Sequence, residues 1–492
     1  MFCKSNVCSN AEKSLYKIAV SAAFVVLSAG CGRQLQSFDY ILDWEGDRIS
    51  VDLTFSPGGK DTLVLSYGNP EAGGMTDIFS WLRNIEVEGA EYSVDTSSGV
   101  VMSLYAFDRA KPVHVRYQVK STLPDGYSPR GSCLMDMFRP DITDDMLYTN
   151  GFNLFMLPVD EGVATVRWNT TPDYPVFCLY NPGKGTAPFS GKTSDLYGTV
   201  IVGDPLLTVD TLVLDGVSNY LVTALRNNPD YNRSEILRYF STVYPKMRAF
   251  WGDRDTNSYS LIVFPFRNNT FEASGNGFAN GFLSRYDSTA DTLLTKARAE
   301  LFTHEIGHKW VSSDEYNRWF GEGFNDLQTA YMLVECEMFP PSLFVDYINR
   351  YFVSLYNSSL RNIDNQTATE DFWNSSDNTW IPYWRGMIYG LYMCGVVEVY
   401  TGSRYGYVDM MTALKEVKDS LNRENFIDKM SAFIDRERLE ADFDKYITNG
   451  EDIRFDVSEL TAGLDMVYLE NGMPELLIAD EELFRSHWRF DR

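Results

Sequence analysis

The sequence predicts an α+β protein in two parts, a β-sandwich-like N-terminal domain followed by a mainly α domain. Two observations carry this. Short alternating apolar runs recur between turn signals as far as about residue 214, and from about residue 230 the apolar spacing changes to the three-and-four period of helices. The length of 492 residues allows more than one sizeable core, and 44% hydrophobic with 14% aromatic residues excludes extended disorder.

Residues 1–30 read as a leader. Lys4, Lys13 and Lys17 precede an apolar run from Ile18 to Ala29, which is too short to span a bilayer and ends at Gly30 and Cys31. The string LSAGC resembles a bacterial lipobox, although Ser28 replaces the usual aliphatic residue. That resemblance implies export, diacylation of Cys31 and attachment to the membrane of the cell envelope, on its periplasmic or surface face. The net charge of -25 excludes nucleic acid as a partner and disfavours anionic lipid surfaces.

Beyond the leader and Cys31 four cysteines remain, Cys133, Cys178, Cys336 and Cys394. None stands in a metal-ligand spacing, so a thiolate zinc site has no support. Cys133 and Cys178 both fall in the β-rich half, where an oxidising compartment permits pairing; the sequence leaves both states open.

The first domain is expected over residues 31–214. Ile49, Val51, Leu53 and Phe55 form one face of a strand, and Val113, Val115, Tyr117 and Val119 form another. His114 alternates with these and points outward. The turns are SPGGK, GNPEAGG, LPDGYSPRG and NPGKGTAP.

A second domain is expected over 215–448. Ile236, Leu237, Phe240, Val243, Met247 and Phe250 recur at helical spacing, and Gly252 closes the run. Ser260–Phe266 reads as a strand, and the Gly-rich RNNTFEASGNGFANG after it reads as irregular. From Thr292 the pattern is mostly helical to about residue 445, with a purely helical part from about residue 340. Residues 449–492 stay unassigned.

Of four histidines in the chain, two fall in HEIGH at 304–308. On a helix, positions four apart stack on one face, so His304 and His308 can present two imidazoles to one metal ion. Glu305 then lies beside the metal rather than on it, where it can act as a general base. The preceding TLLTKARAELFT is a good helix former. Downstream, WFGEGFNDLQTAY opens another helix at about Gly321, with Phe324, Leu327, Tyr331 and Val334 on one stripe. Glu322 near its first turn can complete a two-His, one-Glu site for one zinc per chain.

HEIGHKW followed by W-x-x-E-G-F resembles gluzincin peptidases, in particular the aminopeptidase N and glycyl aminopeptidase families. PYWRG at 382–386 is similar to the P-Y-x-K-G of the aminopeptidase N family, and the resemblance gives Tyr383 the role of oxyanion donor. Gly386, Gly390 and Cys394 follow as a small-residue stripe suited to close helix packing. The resemblance implies a thermolysin-like catalytic domain with a small edge sheet, bound zinc and hydrolysis of peptide bonds in an aminopeptidase or oligopeptidase manner.

Three departures stand against it. Thirteen residues separate His308 from Glu322, against about eighteen in the aminopeptidase N pattern. The motif that captures a substrate amine in that family is replaced by GFANG at 277–281, making Gly277 and Asn280 the nearest counterparts, with Glu272 as a substitute carboxylate. Asp326 follows Glu322 by four, a spacing similar to thermolysin's, where it can accept the second ring N–H of a metal-bound histidine. The missing amine anchor keeps a rival reading open: a surface binding protein on an inactive gluzincin scaffold.

Overall fold

Alternation and helical spacing divide the chain into two units, Met1–Pro205 and Leu206–Arg492. The computed structural model describes residues 35–68, 78–97, 99–121, 138–266, 273–278, 280–287, 291–372, 375–456, 460–461 and 463–488. The leader with Cys31, Cys133 and Glu272 lie outside the described residues. Among the described residues, no helix is long and apolar enough to cross a membrane.

In the first unit a six-stranded sheet runs in the order Phe189–Lys192, Val163–Thr170, Ser37–Trp44, Arg48–Phe55, Val113–Lys120, Leu82–Glu88. A four-stranded sheet runs Leu157–Pro158, Thr62–Tyr67, Val100–Tyr105, Glu91–Asp95. Both turn their alternate apolar residues into one core, from Phe38 to Phe55 on one side and from Leu63 to Leu104 on the other. This is the expected sandwich-like arrangement, and the two predicted strand faces are buried. A third sheet, Val176–Cys178, Val200–Gly203, Met146–Asn150, Asp141–Thr143, adds to it.

Three buried tyrosines in this core donate their hydroxyls to one short segment. Tyr67 bonds the carbonyl of Asn153 at 2.7 Å, Tyr117 that of Leu154 at 2.9 Å and Tyr40 that of Met156 at 2.8 Å. A buried phenol without a partner costs stability, and these carbonyls remove that cost. His114 points outward, as its alternation requires, and bonds Thr54 at 3.0 Å. Cys178 is a buried free thiol.

The second unit is built on a mixed five-stranded sheet in the order Leu207–Leu214, Val217–Ala224, Ser260–Phe266, Gly281–Asp287, Ala273–Phe278. Two strands in it correct the sequence reading. Leu207–Leu214, assigned above to the first domain, pairs along its whole length with Val217–Ala224 and so belongs to the second unit. Ala273–Phe278, read as irregular, is an edge strand antiparallel to Gly281–Asp287, from Ala273 opposite Tyr286 to Phe278 opposite Gly281. With four small residues and no β-branched one, it is a strand because its neighbour supplies hydrogen bonds, not because its composition favours one.

The helix Pro229–Phe250 buries Ile236, Phe240, Val243 and Met247 in the unit's core, and Gly252 follows at φ +55°. Helices Lys296–Gly307 and Asn325–Glu335 pack against it, and Pro341–Asn357 and Ser376–Thr401 pack on Asn325–Glu335 and on each other. The unassigned tail forms a hairpin, Leu464–Tyr468 with Pro474–Ile478, and a helix, Glu481–His487. It is part of the core: Asn349 exchanges two hydrogen bonds with the backbone of Leu476, at 2.8 and 2.9 Å, and the Trp488 ring lies 4.8 Å from that of Phe344.

Candidate metal centre and active site

The helix carrying HEIGH starts at Thr295, whose hydroxyl accepts from Arg298 N–H at 3.3 Å. It ends at Gly307, one residue sooner than the motif, so His308 is its C-terminal cap rather than an interior residue. The required spacing survives, because His308 keeps helical φ of -59° and its N–H still bonds the His304 carbonyl. Gly307 has a steric reason to be glycine: a Cβ there would stand 2.0 Å from Asn325 Oδ1. Asn325 in turn donates to the His304 carbonyl at 2.7 Å, tying this helix to the one that bears the acidic residues.

That second helix begins earlier than Gly321. Trp319–Phe324 forms a π-helical turn that runs directly into Asn325–Glu335. Such turns widen the helix and re-aim its side chains. Here the turn delivers Glu322 to both imidazoles, with its Oε2 3.2 Å from His304 Nε2 and 3.4 Å from His308 Nε2. One ligand atom from each of these three residues lies within 4.8 Å of the others. The short connection after His308 therefore still brings the third carboxylate to the site.

Hydrogen bonds assign the free lone pairs. His304 Nδ1 faces the Asp326 carboxylate at 2.7 Å, and His308 Nδ1 faces the Val311 carbonyl at 3.0 Å. Both partners only accept, so each Nδ1 carries the proton and each Nε2 is left as a lone pair. Two such nitrogens converging on one carboxylate oxygen repel each other and the carboxylate, unless a cation or added protons lie between them. Two imidazoles and one carboxylate are the donor set of an open zinc site. The residues fit the ion.

The charges show the same tension. Burial opposes a charge on Glu322, yet His308 and His304 hold its carboxyl far below the usual range. Burial likewise opposes protonation of His304, and Asp326 and Glu322 outweigh it and raise its pKa. Glu305 differs. Burial pushes its carboxyl upward, only partly offset by His308 and His304.

Asp326 sits where its spacing placed it, 3% exposed, but it is held by more than the histidine. Tyr347 donates to Oδ1 at 3.1 Å and Tyr351 to Oδ2 at 2.8 Å. Both belong to the helix Pro341–Asn357, and sequence reasoning missed them. Their Y-x-x-x-Y spacing is the same i, i+4 signal that HEIGH carries.

Tyr383 stands on the helix Ser376–Thr401, its ring nearly parallel to that of His304 at 6.0 Å between centroids. The small-residue stripe explains its position. At Gly386 an added Cβ would meet the Trp319 carbonyl at 1.9 Å, and at Gly323 it would meet Gly386 Cα at 2.4 Å. The two helices touch backbone to backbone. Arg385, 2% exposed, anchors the same stretch by donating to the carbonyls of Arg361 and Ile363.

His304, Glu305, His308, Glu322 and Tyr383 line a cavity of about 630 Å³, and Gly275–Phe278 of the edge strand line it too. Gly277 faces Glu305 there, since a Cβ on it would lie 3.5 Å from Glu305 Oε2; Gly275 faces the same side chain and was not singled out from sequence. Asn280 is not part of the wall. It follows the strand, and its carbonyl accepts from Ser260 N–H at 3.0 Å.

A scan against protein-family models and a search of curated proteins returned no match. Solved structures do match. An aminopeptidase N family protein from Idiomarina loihiensis has a TM-score of 0.69 at 14% identity, covering 88% of this chain and 79% of its own. An M1 zinc metallopeptidase from Deinococcus radiodurans has a TM-score of 0.53 at 13% identity, over 86% of this chain and 95% of its own. A mutant of an M1 zinc metallopeptidase from Deinococcus radiodurans, solved with a Tyr-Ser-Ala substrate, gives 0.51 at 14% identity, over 86% and 95%. The chain has the gluzincin aminopeptidase-like fold, a β-rich N-terminal unit and a mainly α unit that carries the site.

Proposed function

We propose that this protein is a zinc-dependent peptidase whose site is His304, His308 and Glu322 around one ion, with Glu305 and Tyr383 as catalytic residues. The observation that carries the reading is the convergence of two Nε2 lone pairs on one Glu322 oxygen, beside the half-buried Glu305 carboxyl and inside an open cavity. Bound there, zinc supplies Lewis acidity toward a peptide carbonyl and a water molecule. Glu305 accepts a proton from that water and returns it to the leaving amine, a role its raised pKa favours. Tyr383 donates its hydroxyl to the oxygen that gains negative charge. Asp326 keeps the His304 proton on Nδ1, and Tyr347 and Tyr351 hold Asp326 in place.

The test is the zinc-loaded protein incubated with a mixed peptide library, read by mass spectrometry, alongside elemental analysis of the parent, His304→Ala and His308→Ala. The expected result is one zinc per chain in the parent, loss of zinc in both variants and cleavage only by the parent. Zinc bound with no peptide cut would favour the inactive binding scaffold, and retention of zinc by both variants would move the metal elsewhere. We also propose, from the LSAGC string alone, that the mature chain is anchored at an acylated Cys31 in the cell envelope. An unmodified N-terminus downstream of Cys31 on membrane-extracted protein would contradict it.

A further inference from the structure

Two cations line the cavity, and they are in opposite states. Lys309 is taken: its ammonium lies 3.0 Å from Asp255 and 3.7 Å from Asp253. Arg318 is not paired with any carboxylate among the described residues. Its one hydrogen bond is a long contact of 3.5 Å to the backbone carbonyl of Glu315, and its remaining partner is a ring, with Cζ 3.9 Å from the Phe372 centroid. A ring contact of this kind uses the face of the guanidinium and not its N–H donors, which are left to meet a planar acceptor. Burial disfavours its charge, and the more distant carboxylates of Glu315, Glu322 and Asp314 only partly offset that.

Its place in the chain aims it at the chemistry. Arg318 immediately precedes the π-helical turn and stands four residues before Glu322; it lines the cavity together with Glu322 and Tyr383, close enough to both to interact electrostatically with them. The protein's net charge of -25 gives an acidic peptide no general attraction, so its recognition requires a dedicated local cation.

We infer that Arg318 is a specificity-determining residue that binds a carboxylate of the peptide substrate, and that the substrates of this site are peptides carrying such a group near the scissile bond. The inference rests on the peptidase reading above and names its substrate class. The carboxylate has two possible sources, an acidic side chain or the C-terminus of a short peptide, and one experiment separates them.

The experiment measures binding, so that it does not depend on turnover. Glu305→Gln, loaded with zinc, is titrated calorimetrically with two matched peptide pairs: one differing as free C-terminus against C-terminal amide, the other as Glu against Gln with the C-terminus amidated in both. The expected result is that one pair shows roughly 10- to 100-fold tighter binding of its carboxylate member, the size of a bidentate charge-assisted contact. The pair that responds identifies the source. Adding Arg318→Leu to Glu305→Gln should collapse that ratio toward one with zinc retained, and Arg318→Lys should restore part of it. If the leucine variant fails to fold, as zinc content reports, Arg318→Gln makes the same comparison.

Ratios near one for both pairs in the Arg318 protein overturn the inference, as does a preference that persists without Arg318, which would mean that the carboxylate goes to zinc. The two readings fail separately. Peptides cut without carboxylate preference leave the peptidase standing and remove Arg318; a preference without any cleavage by the parent does the reverse.

Discussion

Buried and half-buried tyrosines occur at key places in both units, and their partners divide them. In the first unit Tyr40, Tyr67 and Tyr117 all donate to main-chain carbonyls of Asn153–Met156, neutral acceptors that hold a loop. In the second, Tyr347 and Tyr351 donate to a carboxylate that itself bonds a histidine, and Tyr383 lies against that histidine's ring. Burial raises the pKa of all six above the free phenol's. The three of the first unit are at most 2% exposed, while Tyr351 and Tyr383 are only half-buried; what most directly separates the two sets is the charge of the groups they meet.

Five variants sharpen or break that contrast, in descending order of expected effect on turnover. Glu305→Gln should reduce hydrolysis to near background while zinc stays bound, because the amide can neither take nor return a proton. Substantial remaining activity, measured with zinc content in parallel, would break the mechanism. Tyr383→Phe should lower kcat roughly 10²- to 10³-fold with little change in KM, as removal of a single oxyanion donor does. Wild-type kinetics would return Tyr383 to the structural class.

Asp326→Ala should weaken zinc affinity by about 10- to 100-fold in a chelator competition, and Tyr351→Phe should move it in the same direction by less. Unchanged affinity in Asp326→Ala would make its bond to His304 incidental. Tyr117→Phe should leave zinc content and turnover at parent values. It takes a partner from both Leu154 and Met156, so thermal unfolding should show a loss of about 1–2 kcal/mol. A drop in turnover there would erase the distinction between the two sets.

The first set was half legible in the sequence and the second only in part. Alternation marked Tyr117 as inward-facing, but nothing local says where an inward hydroxyl will find its acceptor. HEIGH and Asp326 were legible because their partners lie four residues apart or are fixed by helix geometry. Tyr347 and Tyr351 meet Asp326 from another helix, and in a chain with 30 tyrosines their spacing does not stand out. The edge strand Ala273–Phe278 was illegible because its extended form comes from its neighbour's hydrogen bonds. Leu207–Leu214 went to the wrong domain for a related reason: alternation identifies a strand but not the sheet that receives it. The π-helical turn at Trp319–Phe324 left no trace in composition, and the helix start was therefore placed late.

The contact between Gly323 and Gly386 has a mechanical meaning. Glu322 and Tyr383 belong to different helices; in the proposed mechanism one would hold the ion and the other would reach for the substrate's oxygen, so their separation would be a working dimension of the site. Side chains between the helices would act as compressible spacers, each free to change rotamer and let that dimension drift. With backbone resting on backbone no spacer remains, so the gauge between electrophile and donor is set by the most rigid material a protein has. An alanine at either glycine would act as a shim: a single methyl group, inert in itself, that spreads the jaws of the site and detunes the reaction without altering any group that takes part in it.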